Sequence, residues 1–355
     1  MGIFSKIDLR YALYHFRKSI FRPIIIILLI AGFTAISCIN VRYGYYGWDP
    51  VNGSTYGDPE YYLDLNVFSV TLMLATIFIP FTEFFEFKNR RNGDTWFSFP
   101  ISKYKLAFIH FMNGFIDIFL SILISAIIVA VRSSLTPEIT FKPIAFTTTM
   151  LLALLISFVS YSFISFAFVQ GNNIFDGIIL SGLYVYFPAI VFDVIDYIIY
   201  AYRKDINIYD IGLYDYRPYL SIVSLPERII SRYQQIINWG KNDVEDLLVT
   251  PIIIWAIVGI LCAIGVVVFF GKNKTYKLGE VSDSPCGYNI MIPAWIYCLQ
   301  LMSSSGVAGI VFTLIHYGAH VFYRRGVKLT IFDYAKVAVS LVLAIALPII
   351  HKTLT

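Results

Sequence analysis

Residues 83–105, EFFEFKNRRNGDTWFSFPISKYK, decide how the chain is read. The stretch lies between two long apolar runs and carries Lys88, Arg90, Arg91, Lys103 and Lys105. Positive residues between two membrane spans mark a loop as cytoplasmic. The stretch opens on Glu83 and Glu86. Glu86 stands four residues before Arg90, the spacing at which opposite charges meet on one helix face. Gly93 permits a sharp turn, and Phe97, Phe99 and Pro100 lead back into apolar sequence. A short charged helix, a turn and a re-entry offer a soluble partner a grip. Phe87 and Trp96 are the natural anchors, because buried aromatics and arginines carry most interface energy.

Outward from this loop the chain is apolar. Of 355 residues, 58% are hydrophobic and 14% charged, where a soluble domain carries about a quarter charged. Mean hydropathy is +0.71. Apolar runs long enough to cross a hydrocarbon core of about 30 Å recur along the sequence. This predicts an all-α polytopic membrane protein. The formal net charge of +4 reflects cytoplasmic loops and not a nucleic-acid surface.

Residues 1–22 predict an interfacial amphipathic helix. Phe4, Ile7, Tyr11 and Tyr14 fall on one face and Lys6, Arg10 and Arg17 on the other, the pattern that meets apolar lipid and anionic headgroups. Spans are predicted over 23–39, 65–81, 106–131, 144–169, 174–199 and 247–270. Residues 40–64 have Arg42 as their only basic residue, which places them outside. Their tyrosines and Trp48 resemble an interfacial belt. The segment 200–246 is predicted as an external cap or as membrane-surface helices, with a short helix starting at Pro226. Pro188 predicts a kink in its span. Residues 271–355 add about two further membrane helices. Run 290–323 is broken at Ser303-Ser304-Ser305-Gly306, so it crosses once or turns and crosses twice.

Two polar residues stand inside the third span, Asn113 and Asp117. An acid at that depth faces the protein interior or a wet cavity, so Asp117 lines a path or makes an interhelical hydrogen bond. Ala153 and Ser157 form a small-xxx-small pair that admits a neighbouring helix.

The pattern Glu-x-x-x-Arg-Arg-Asn-Gly-Asp over 86–94, followed by Ser98-Phe99-Pro100-Ile101-Ser102-Lys103, resembles the first cytoplasmic loop of bacterial ABC-2-type transporter permeases. The looser resemblance in span pattern runs over 1–289. It implies a six-helix core over 23–270, preceded by a connecting helix. It also implies that the loop 82–105 docks on a separate ATPase through Glu83, Glu86, Phe87, Arg90, Arg91, Gly93 and Trp96. The partners implied are an ABC ATPase dimer, a second permease (a copy or a paralogue) and the lipid bilayer, with no nucleic acid. ATP and Mg belong to the ATPase, and no cofactor is expected on this chain. The expected location is the bacterial cytoplasmic membrane, with the N-terminus inside. An apolar bundle favours an amphipathic or hydrophobic cargo such as a peptide, lipid or drug. The alternative is an integral membrane resistance, immunity or sensing protein that works without ATP.

Catalytic chemistry is not expected. The P-loop pattern, the H-E-x-x-H zinc motif and the G-x-S-x-G elbow are all missing from the sequence. Cys38, Cys262, Cys286 and Cys298 form no CxxC pair, so neither a disulfide framework nor a zinc site is expected. His15, His110, His316, His320 and His351 are scattered, and no metal site is expected among them. His316 and His320 share a helix face, where a hydrogen-bonded structural role is expected.

Overall fold

Apolar runs in hydrocarbon must satisfy their backbone internally, so they become helices. The computed structural model describes residues 6–49, 53–89, 100–139, 141–202, 221–222, 225–228, 230–231, 245–272, 280–303 and 305–354. The helices are α1 (Lys6–Lys18), α2 (Phe21–Ser37), α3 (Asn66–Phe84), α4 (Lys103–Leu135), α5 (Pro143–Val169), α6 (Ile174–Tyr202), α7 (Glu245–Lys272), α8 (Tyr288–Leu301), α9 (Gly306–Arg324) and α10 (Ile331–Leu354). A 3-10 turn covers Glu86–Lys88. Among the described residues, α3, α4, α5, α6, α7, α9 and α10 are long and apolar enough to cross a membrane. The pair α1 and α2, bent by 57°, adds an eighth candidate. The chain is a multi-pass helical membrane protein. The break at the serines separates α8 from α9, and α6 runs unbroken through Pro188.

Residues 39–63 depart from the expected aromatic loop. They form an antiparallel hairpin, β1 (Ile39–Asp49) on β2 (Gly53–Leu63), with Ile39 opposite Leu63 and Trp48 opposite Ser54. The tyrosines and tryptophan that suggest a membrane belt are also strand formers. Two register irregularities, between Tyr43 and Tyr45 and between Tyr45 and Trp48, bend the ladder. Of the segment 200–246, expected to be external, residues 200–202 end α6, residues 245–246 begin α7, and residues 225–228 and 230–231 are helical; most of the remainder lies outside the described residues.

The chain divides into two compact units. The first holds Met1–Glu83, Tyr104–Phe163 and Val223–Ile264; the second holds Phe84–Lys103, Ile164–Ile222 and Gly265–Thr355. In the first, close approaches are built on glycine. A Cβ on Gly114 would collide with the Tyr161 hydroxyl, which reaches past it to donate to the Phe111 carbonyl at 2.9 Å. A Cβ on Gly259 would stand 2.9 Å from Val159. Small residues let helices in lipid pack backbone to backbone in this way.

The buried face of α1 corrects the sequence reading. Asp8, Tyr11 and His15 point inward, while Ile7, Leu9, Leu13 and Tyr14 are exposed. Tyr11 therefore leaves the lipid-facing stripe and joins a polar one. The physical reason is that α1 supplies partners to charged groups on α3 and α4, described below.

In the second unit, Phe87 sits edge-on to Phe270 at 5.0 Å and beside Phe84 at 6.5 Å. Lys88 is buried and donates to the carbonyls of Val169 (3.0 Å) and Gly171, at the C-terminal end of α5. A cation there satisfies carbonyls that the helix leaves unpaired. Asp176, in the first turn of α6, accepts from Asn173 (2.9 Å), the Ser282 amide (2.8 Å) and the Tyr288 hydroxyl (3.1 Å). The last two bonds fasten Ser282 and Tyr288, the first residue of α8, to the start of α6. Helix α8 packs on α6, α9 and α10, and Gly309 of α9 faces Ala344 of α10 so closely that a Cβ would lie 2.8 Å from it.

Candidate functional site

The first unit contains a buried ionic cluster made by α1, α2, α3 and α4. Glu83 lies in the last turn of α3 with its side chain fully buried. A carboxylate at a helix C-terminus opposes the helix dipole and loses hydration on burial, so it requires cationic or N–H partners. It has three. Arg22 Nη2 forms an ion pair with Oε1 at 2.5 Å. His15 Nε2 and His110 Nδ1 both approach Oε2, at 3.2 and 2.9 Å.

Arg22 stands one residue before Pro23, where the apolar run of α2 begins. Its guanidinium also holds Asp117: Nε lies 2.7 Å and Nη2 2.6 Å from Oδ2. Helix periodicity supplies the α4 side. His110, Asn113, Asp117 and Ser121 recur at spacings of three and four and are all buried. When Nδ1 of His110 donates to Glu83, its Nε2 is the acceptor for the Tyr11 hydroxyl at 3.0 Å. The rings of His15 and His110 are 3.9 Å apart, centre to centre. At the edge of the cluster Lys105 pairs with Asp8 at 2.6 Å.

An apolar groove leads away from this cluster. Ile25, Ile26, Leu29 and Phe33 of α2 face Leu74 and Phe78 of α3 across a cavity of about 620 Å³. Arg22 and Thr82 belong to the same lining.

The anticipated site residues separate. Asp117 of α4 accepts from Arg22 of α2, and Asn113 lies one turn from it with Nδ2 unbonded among the described residues. Glu83 is inside the bundle rather than on a docking face. Phe87 is likewise a core residue, not an exposed anchor. Glu86 is partly buried in the 3-10 turn, after which Asn89 is extended. The turn that carries Glu86 ends at Lys88, with Phe87 and Lys88 buried. Arg90, Arg91, Gly93 and Trp96 lie outside the described residues.

Sequence reasoning missed Arg22, His15, His110 and Tyr11 as members of one site. The available signal was Asp117, an acid in a span that demanded a cation. Histidines dispersed in sequence are gathered in space: one ligand atom each from His15, Glu83 and His110 lies within 4.8 Å of the others, so the three could hold a metal ion. Comparison with known proteins adds nothing to this geometry: no family model, no curated protein and no solved structure matches the chain.

Proposed function

We propose that the chain is the membrane-spanning permease subunit of an ATP-driven exporter of the ABC-2 type, working with a separate ATPase dimer and a second permease. The carrying observation is the end of α3. Glu83 is locked by Arg22, His15 and His110, and the basic stretch follows it directly in the chain. A push on that stretch by a soluble partner passes through the covalent chain into α3, and through its ion pairs into α1, α2 and α4. Such a linkage converts a local docking event into a change of the bundle. The groove between α2 and α3 supports an amphipathic or hydrophobic cargo.

Docking falls to Glu86 and to the residues that follow Asn89. Glu86→Lys and Arg91→Glu are expected to weaken copurification of the ATPase, or to uncouple hydrolysis from cargo, at unchanged membrane expression. Exposed charge pairs in an idle loop are worth only about 0–1 kcal/mol. Wild-type copurification and wild-type cargo-stimulated hydrolysis in both variants would overturn the docking role. A chain that copurifies with no ATPase at all would favour the resistance or sensing reading.

A further inference from the structure

We infer that His15, Glu83 and His110 form a binding site for a divalent transition-metal ion of the zinc class. The three residues come from α1, α3 and α4, and all are buried. Two imidazole nitrogens converge on one carboxylate oxygen, at 3.2 and 2.9 Å. Ligand atoms about 2.0–2.2 Å from a common zinc stand roughly 3–3.5 Å apart; both imidazole-to-carboxylate distances match that spacing, and all three donor atoms lie within 4.8 Å of one another. Two histidines and a carboxylate, with a fourth position left open, are a donor set that zinc accepts.

The groups around His110 and Glu83 fit as well. Ligating histidines almost always engage their second nitrogen, which fixes ring orientation; Tyr11 occupies that place on His110 at 3.0 Å. The other oxygen of Glu83 is taken by Arg22, which leaves Oε2 directed at the imidazoles. Arg22 is shared with Asp117. Among these three groups two carboxylates face one guanidinium, so one negative charge is left over, and a cation on the Oε2 side offsets it. Ligation requires no redox step. In a neutral His110 the proton moves from Nδ1 to Nε2, which then donates to the Tyr11 hydroxyl, and the freed Nδ1 lone pair binds the metal. His15 exchanges its Nε2 proton for one on Nδ1 in the same way. The ion would staple the N-terminal helix to the two helices that flank the basic stretch.

The test uses the full chain in detergent, with any affinity tag removed, and Co²⁺ and Zn²⁺ as probes. Wild-type protein is expected to bind one Co²⁺ per chain with the visible absorption of a four- or five-coordinate site, to lose it to Zn²⁺, and to melt at a higher temperature when Zn²⁺ is present. His15→Ala and His110→Ala are each expected to lower affinity at least about 100-fold, and Tyr11→Phe, which keeps the ring packing and the ligands, about 10-fold. Wild-type protein that binds no metal at neutral pH would overturn the inference and leave a proton as the bridging cation. Binding that survives both histidine substitutions would overturn it too.

Discussion

Two buried polar clusters, one in each unit, are built from opposite chemistry. The cluster around Glu83 is ionic: one guanidinium, two carboxylates and two imidazoles. The cluster inside α8, α9 and α10 is neutral at its centre. There the Gln300 amide nitrogen donates to the Gly309 carbonyl (3.2 Å), the Thr313 hydroxyl (3.1 Å) and the Ser340 carbonyl (3.0 Å). Thr313 and Ser340 also bond each other at 3.2 Å. Among the described residues charge enters the second cluster toward the helix ends, where Arg324 forks onto Asp333 at 3.0 and 3.2 Å, His320 lies 3.6 Å from the same carboxylate, and the Lys336 ammonium donates to the Asn289 carbonyl at 2.9 Å. The difference teaches where strength and fragility sit. A neutral cluster loses a hydrogen bond when a member is removed, whereas an ionic one is left with a bare charge.

That contrast gives the largest expected effect. Arg22→Met leaves Glu83 and Asp117 without their shared cation. Breaking a buried pair by removing one partner costs about 3–5 kcal/mol, so the variant should unfold far earlier in a detergent denaturation series. Adding Glu83→Gln and Asp117→Asn in the same chain should recover much of the loss, because the cluster then becomes neutral like its counterpart. A single Arg22→Met variant as stable as wild type would abolish the distinction between the two clusters.

The parts legible in the sequence are those set by short-range pattern. Span positions follow from apolar length, and the break before α9 follows from Ser303 to Gly306. The stripe of His110, Asn113 and Asp117 follows from a 3.6-residue period. Pairing across the chain is not legible. Glu83 is separated from His15 by 68 residues and from His110 by 27, and no local period relates them. Helix α1 misleads because its apolar residues suggest one lipid-facing stripe that includes Tyr11, while the inward face is Asp8, Tyr11 and His15. The hairpin misleads because tyrosine and tryptophan serve both strands and membrane interfaces. Glu83 and Phe87 look like surface residues from the charges around them. The first belongs to the last turn of a span and the second to an aromatic contact with Phe270.

A middle-sized effect is expected at the neutral cluster. Gln300→Leu removes one donor that serves three acceptors on two neighbouring helices. Stranding a neutral buried partner costs about 1–3 kcal/mol. Two of the three acceptors are carbonyls inside helices, where backbone donors also serve them, which holds the loss near the lower end. The same denaturation series reads it. A loss equal to that of Arg22→Met would show that charge is not what separates the clusters.

The smallest effect concerns Lys88, a buried cation in the unit with the neutral cluster. Burial pushes its ammonium down to about 7, and Asp176 pulls only partly against that shift. The unfolded chain keeps a lysine near its ordinary 10.5. Between pH 7 and pH 8 the folded protein therefore gives up the Lys88 proton while the unfolded protein retains it. The unfolded state binds more protons in this window, so stability should rise with pH and fall again on acidification. Integrated over that single unit of pH the gain is about 1 kcal/mol. Lys88→Met keeps an unbranched side chain and removes the titration, at the cost of the ammonium's place over the Phe168 ring at 5.5 Å and of its bonds to the Val169 and Gly171 carbonyls. The measurement is the thermal midpoint of both proteins at pH 7 and pH 8. Wild type is expected to gain and Lys88→Met to stay level relative to it. Equal pH slopes in the two proteins would mean that Lys88 stays charged in the fold. Both units would then carry a permanent buried cation, and the contrast between them would narrow to the number of carboxylates that each one faces.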